Sequence, residues 1–201
     1  MAENENQIFP VFEQIVNRED KQVLLKQKAK VIWLTGLSGS GKTTLGSALE
    51  KELYKKGFLT QILDGDNVRS GINKNLKFTE EDRLENIRRI SEVTKLFINC
   101  GVITINCFIT PTESIRQIAR DIIGEENIIE VFVNTPLAVC ERRDVKGLYK
   151  KARSGELKNF TGISSPFEIP KEAKIEINTD ELSLIKSVDI MLSVVIKHIK
   201  I

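Results

Sequence analysis

At 201 residues, with 41% apolar and 29% charged side chains, the chain has the composition of one globular domain large enough to bury a core without staples. A formal net charge of +2 with both signs interspersed argues against a general nucleic-acid binder, which shows a one-sided basic excess. The acidic start MAENENQIFPVFEQ is not a secretory signal and no apolar run nears the roughly 18 residues of a membrane span, so a cytoplasmic protein that binds neither membrane nor nucleic acid is expected.

Residues 1–25 read as an N-terminal extension and 26–201 as a single domain. The first strand is VIWLT (31–35), followed by a glycine-rich turn and a helix over 43–56. QILD (61–64) is the second strand, closed by DGDNVR. A long helix is predicted over 80–99, where Thr79 caps the start, Asp82 completes a capping box, and Leu84, Ile87, Val93, Leu96 and Phe97 share a face. VITINCF (102–108) is the third strand, then a helix over 112–122, a fourth strand IIEVFV (128–133) and a helix over 136–143. Residues 145–170 are basic, glycine-containing and poor in strands, a partly helical excursion of the kind that forms a lid. KIEIN (174–178) alternates and is expected near a sheet edge, and a last helix covers 181–199. This alternation implies an α/β fold, a parallel sheet with helices on both faces.

Cys100, Cys107 and Cys140 have no metal-ligand spacing and read as buried, reduced thiols. His198 is the only histidine, at the far end of the chain, which disfavours mechanisms with a histidine base or metal cluster.

The chemistry begins at GLSGSGKTT. Gly36, Leu37, Ser38, Gly39, Ser40, Gly41, Lys42 and Thr43 fit the phosphate-loop (P-loop) pattern without a mismatch, between a strand and a helix, with Thr44 following. Glycines turn backbone N–H groups inward as an anion nest, and the helix N-terminus adds partial positive charge. Lys42 is assigned to the β- and γ-phosphates and the Thr43 hydroxyl to Mg²⁺, with ATP as co-substrate. A GTPase is excluded: NKNL at 73–76 lacks the aspartate of a guanine reader, and DIIG at 121–124 follows a helix rather than a strand. Asp64 and Asp66, at a strand's carboxyl end, are candidates both for positioning Mg²⁺ and for accepting a proton from an attacking hydroxyl, although Asp-Gly-Asp-Asn is also a good turn sequence. Arg69, Arg83 and Asn86 beside that pair suggest a clamp for a second anion, whereas Arg88 or Arg89 alone reads as a solvated face.

These stretches, with FTEEDRLENIRRI, FITP and KGLYKKARSGELKNFTG, make the chain resemble the adenylylsulfate kinases, P-loop kinases that phosphorylate the 3′-hydroxyl of adenosine 5′-phosphosulfate (APS) in sulfate activation. The resemblance implies that Asp64 and Asp66 are the family's carboxylate pair and that Arg69, Arg83 and Asn86 hold the phosphosulfate and ribose of APS. It implies that Phe78 and Phe167 sandwich the adenine and that Ile109 lines the pocket with Lys146 and Leu148 closing over it. It further implies that Arg143 and the basic residues of 146–158 form the lid over ATP, about 145–165, and that the chain is a homodimer. Two departures stand out: Thr110, at an APS-binding position, replaces the family's serine and keeps a hydroxyl for a bond to ligand or backbone, and Glu113 replaces an arginine while Arg116 matches the family's second one. Altered APS or nucleotide affinity is expected from them. The plainer readings are core aromatics for Phe78 and Phe167 and a solvated basic loop for Lys146, Lys150 and Lys151. A kinase for another nucleoside or nucleotide, or a non-catalytic nucleotide-binding regulator, are the alternative functions.

Overall fold

A computed structural model describes residues 9–11 and 14–201, so most of the acidic start lies outside the described residues. Five strands form one parallel sheet: β1 (Val31–Thr35), β2 (Thr60–Asp64), β3 (Ile103–Cys107), β4 (Ile128–Asn134) and β5 (Ile175–Asn178). Their spatial order is β2-β3-β1-β4-β5. Register is direct, with Trp33 beside Asn106 on one side and Glu130 on the other. From β1 the chain runs to the edge strand β2, comes back to β3 beside β1, and then crosses to the other flank of β1 at β4. Loops leaving β1 therefore open into the crevice where α/β sheets bind ligands. The alternating strand KIEIN is β5, an edge strand as expected.

Both faces of the inner strands are apolar, which is why they read as continuous runs rather than alternations. On one face Ile32, Leu34, Ile105, Val131 and Ile177 pack under α2 (Lys42–Lys55) and α8 (Leu184–Ile199). Each fully buried isoleucine or leucine there contributes about 2 kcal/mol by removal from water. The close seat of α2 depends on Gly46, where a Cβ would lie 2.6 Å from Cys107 Sγ and 3.3 Å from Ile105 Cγ2. The other face, with Val31, Trp33, Leu63 and Phe108, is covered by α4 (Glu80–Asn99) and α5 (Glu113–Ile123). Asn106 reaches out of this face to donate to Thr94 Oγ1 at 2.8 Å.

The helix starts follow their caps. Thr79 Oγ1 accepts from Asp82 N at 3.2 Å, Thr112 caps α5 and Ser183 caps α8. The capping box itself does not close: Asp82 Oδ2 accepts from Lys77 N at 2.8 Å, tying down the preceding turn instead. Leu96 is 64% exposed, because the buried face of α4 runs through Asn86, Ile87, Ile90, Thr94 and Ile98. Cys100 is exposed, since it sits at the C-cap where α4 turns away from the sheet; Cys107 and Cys140 are buried as expected.

Two helices exceed the sequence expectation, and a third falls in the segment expected to be partly helical. A short helix α1 (Arg18–Leu25) packs near the C-terminal end of α4, with Lys21 Nζ on Asn99 O at 3.3 Å. DGDNVR forms α3 (Gly65–Ser70), capped by Asp64. The basic excursion after α6 (Leu137–Arg143) contains α7 (Leu148–Arg153).

Candidate active site

The turn after β1 is held open by contacts on its outer side. Gly41 is the N-cap of α2 in a left-handed conformation, φ 105°. Gly36 runs so close to β4 that a Cβ there would lie 2.6 Å from Val133 O. The outward carbonyls of the loop are occupied by side chains from remote segments. Tyr149 of α7 donates to Ser38 O at 2.9 Å. Thr135 and Thr179 donate to Ser40 O at 3.1 and 2.9 Å. Arg143 donates to Thr179 Oγ1 at 2.9 Å and Thr179 O at 2.8 Å, and lies 3.4 Å from the carbonyls of Gly39 and Ser40. With the carbonyls of Ser38, Gly39 and Ser40 engaged outside, Ser40 N donates to Leu37 O at 3.2 Å and Gly36 N to Ile109 O at 3.5 Å, and the remaining loop amides are left for an anion.

Lys42 is buried, and its ammonium donates to Gly36 O at 2.9 Å and Leu37 O at 2.8 Å. Burial lowers it from the ordinary 10.5 to about 8, opposed by the thiols of Cys107 and Cys140 and by Asp64. A buried cation held only by carbonyl dipoles is suited to receive phosphate oxygens. Thr43 Oγ1 donates to Asp64 Oδ2 at 2.7 Å. Asp64 is itself buried, and its Oδ1 accepts from Asp66 N at 3.0 Å and Asn67 N at 3.4 Å, so it joins the phosphate loop to α3.

Beyond α3 lies a second cluster. Asp66 is largely exposed and pairs with Lys146, bringing the start of the basic excursion over β2. The Arg69 guanidinium lies 4.5 Å over the Phe78 ring and donates to Lys77 O at 2.9 Å. Arg83 donates to Phe78 O at 3.1 Å, to Thr161 Oγ1 at 2.9 Å and to Asn159 O. Burial holds both guanidinia below their ordinary value, and for Arg69 the charge of Arg83 adds to the effect. Two like charges brought together in this way attract an anion. Asn86 Oδ1 accepts from the buried Asn73 Nδ2 at 3.0 Å, which leaves the Asn86 amide nitrogen as the free donor. Phe78 is 59% exposed, while Phe167 stacks on Phe132 with centroids 6.0 Å apart and lines a cavity of about 620 Å³ beside Leu37.

Residues 28–178 match the family described as adenylylsulphate kinase. The chain belongs to that family. It is 57% identical over 199 residues to the adenylyl-sulfate kinase of Bacteroides fragilis, covering 99% of this chain and 98% of that one. The adenylyl-sulfate kinase of Clostridium acetobutylicum is 51% identical over 183 residues, 91% of each. The solved APS kinase of Mycobacterium tuberculosis in complex with AMPPNP and APS aligns with a TM-score of 0.80 at 41% identity, covering 84% of this chain and 98% of that one.

Within this P-loop kinase frame, Lys42, Thr43, Asp64, Asp66, Arg69, Phe78, Arg83, Asn86 and Lys146 are connected through direct contacts or short stretches of chain at the carboxyl edge of the sheet. Leu148 starts α7 above them, and Ile109 ends the β3 exit with its carbonyl accepting from Thr35 Oγ1 at 2.7 Å. Thr44 points outward from the first turn of α2. Two residues sit differently from expectation. Thr110 is buried at φ 39°, unusual for a β-branched residue, and its hydroxyl donates to Thr35 Oγ1 at 2.7 Å, behind the pocket wall. Arg143 braces the outside of the phosphate loop. Glu113 pairs with Arg116 at 3.0 Å and with Arg120. Sequence reasoning missed Asn73, Tyr149, Thr135, Thr161 and Thr179, whose roles exist only through contacts with distant segments.

Proposed function

We propose that this enzyme transfers the γ-phosphoryl group of ATP to the 3′-hydroxyl of APS, giving 3′-phosphoadenosine 5′-phosphosulfate and ADP. The observation that carries the reading is Asp64. It accepts from the hydroxyl of the phosphate loop while capping the helix that carries Asp66 and Arg69, so one buried carboxylate fixes the distance between a triphosphate cradle and an anion clamp.

In this reading the triphosphate occupies the amides of Gly36–Thr44, and Lys42 exchanges its carbonyl partners for phosphate oxygens. Phosphoryl transfer asks for positioning and charge stabilisation rather than a covalent intermediate, so the want of a nearby histidine costs nothing. Thr43 and Asp64, hard oxygen donors already meeting at 2.7 Å, fit Mg²⁺, with Asp66 close by in the same turn. That ion, when bound, neutralises charge on the phosphates. Asp66 is the group that orients the 3′-hydroxyl and accepts its proton, because it is exposed on the acceptor side while Asp64 is committed to Thr43 and the α3 cap. Arg69, Arg83 and Asn86 take the phosphosulfate and ribose. Phe78 and Phe167 grip the adenine by stacking, with Ile109 and Leu148 as apolar walls. Lys146 leaves Asp66 for the ligand. Residues 145–165 act as the lid that excludes water from the reacting phosphate.

The same reading makes the chain a homodimer located in the cytoplasm. The apolar residues Val23 and Leu24 of α1 and Leu96 of α4, exposed on helices that pack together, support self-association. Three free cysteines and the use of ATP support the compartment. Among the described residues no helix is long and apolar enough to cross a membrane.

The test is a coupled ADP-release assay offering APS against adenosine, AMP and other nucleosides. APS-dependent turnover is expected. Turnover with adenosine or AMP but none with APS would assign another acceptor, and ATP binding without turnover on any acceptor would mark a regulator.

A further inference from the structure

We propose that Arg116 is a positioning residue that sets the acceptor pocket by clamping two of its walls together, an inference that rests on Ile109 and Phe167 being those walls. Arg116 is 96% removed from solvent, on the second turn of α5, and its hydrogen bonds and ion pairs go to Thr110, Glu113, Glu130 and Glu168 rather than to the phosphate loop or α3. Its Nη1 donates to Thr110 O and to Glu168 O, both at 3.0 Å. One carbonyl belongs to the residue after Ile109, the other to the residue after Phe167. The same two segments are tied by Glu168 N donating to Pro111 O at 2.7 Å and by Glu168 Oε2 accepting from Glu113 N at 2.7 Å.

Neither segment belongs to a helix or strand that would hold its shape, residues 109–111 and 166–170 being irregular. Thr110 occupies a left-handed backbone conformation that a β-branched residue avoids, which costs on the order of 1–3 kcal/mol and persists only when its surroundings enforce it. Thr35 holds its hydroxyl and Arg116 holds its carbonyl. Phe167 lies in a return segment without helix or strand, supported by Phe132 beneath it. The guanidinium suits the task because its planar fork presents donors in fixed directions. Its other edge is held by Glu113 Oε2, 3.0 Å from both Nε and Nη2, with Glu130 at 3.8 Å. Glu113, the residue that reverses charge relative to the family's arginine, thus acts on the acceptor side through Arg116 rather than by touching ligand.

The test compares the full-length wild type with Arg116→Gln, Arg116→Lys and Glu168→Ala in steady-state kinetics, varying APS and ATP separately. A cavity of about 660 Å³ between α5 and residues 168–174 gives the shorter glutamine and water room. Loss of the charged donors raises the APS KM of Arg116→Gln on the order of 10- to 100-fold, with kcat at saturating APS and the ATP KM changed by no more than about twofold, the pattern of lost ground-state binding. Arg116→Lys restores part of the APS affinity. Glu168→Ala, at an exposed side chain, raises the APS KM about threefold through its lost bond to Glu113 N–H. An APS KM for folded Arg116→Gln equal to wild type, or a parallel rise in the ATP KM, overturns the inference. Should Arg116→Gln fail to fold by circular dichroism, folded Arg116→Lys decides, since it keeps the charge and loses the planar fork: an unchanged APS KM overturns it. A wild-type chain without APS-dependent ADP release sinks the functional reading itself, a result visible before any variant is compared.

Discussion

Lys42 gives a quantitative handle on the phosphate cradle. Burial brings its ammonium from 10.5 to about 8 in the free protein. The difference corresponds to about 3 kcal/mol, the cost of keeping the charge in place before an anion arrives. The sign follows from counting protons. Between about pH 8 and 10.5 the unfolded chain binds more protons at this group than the folded one, so on its account the stability of the free protein rises with pH through that window. Triphosphate binding places negative charge beside the amine and returns it to the protonated form. Below about pH 8 the lysine is already charged and affinity does not depend on it. Above about pH 8 binding must take up a proton, and affinity falls by up to about tenfold per pH unit. Isothermal titration of a non-hydrolysable ATP analogue at pH 7.5 and pH 9, in buffers of different ionisation enthalpy, measures this directly. Uptake approaching one proton is expected at pH 9 and about a quarter of a proton from this group at pH 7.5. Buffer-independent heats at pH 9 would show that the cradle does not depress Lys42, and the account of its burial would fall.

Asp64→Asn keeps the helix cap and the volume but loses the negative charge that with Thr43 would hold Mg²⁺, so kcat is expected to fall by about 10²–10⁴, several kcal/mol of lost charge stabilisation, while APS affinity stays near wild type; wild-type turnover would remove Asp64 from the chemistry. Phe78→Ala removes a 59% exposed ring, so the melting temperature should hardly move while the APS KM rises; an effect confined to ATP would contradict stacking on the acceptor. Gly46→Ala forces a methyl against Cys107 Sγ and Ile105, with an expected loss of about 1–3 kcal/mol in urea unfolding, and Gly46→Ala with Cys107→Ala should recover part of it. A neutral Gly46→Ala would mean that α2 can lift from the sheet at no cost.

The strands and the longer helices were legible because burial on both faces writes continuous apolar runs and because Thr79, Thr112 and Ser183 mark helix starts. α3 was hidden: Gly65 follows Asp64 as in a turn, and six residues show too little periodicity. α1 was hidden for a different reason, since Val23 and Leu24 are exposed and mark no buried stripe. Within the site, spacing alone pointed to Lys42, Thr43 and the aspartate pair, because those residues act next to one another in sequence. Tyr149 and Thr179 could not be read that way, as they meet the phosphate loop across 111 and 139 residues. Thr110 carried a misleading signal, because a hydroxyl in a conspicuous motif suggests a ligand contact and only the backbone conformation turns it towards Thr35.

The bracing of the phosphate loop from outside has a bearing on how portable this nucleotide site is. A fragment stopping short of Thr135 would carry the whole glycine-lysine signature and still lack the struts that hold it taut. Grafting the eight-residue signature onto a foreign scaffold would move the string without the bow. Recombinants that exchange the last quarter of the chain between relatives should thus be screened for ATP affinity first, well before sulfur-nucleotide preference is measured.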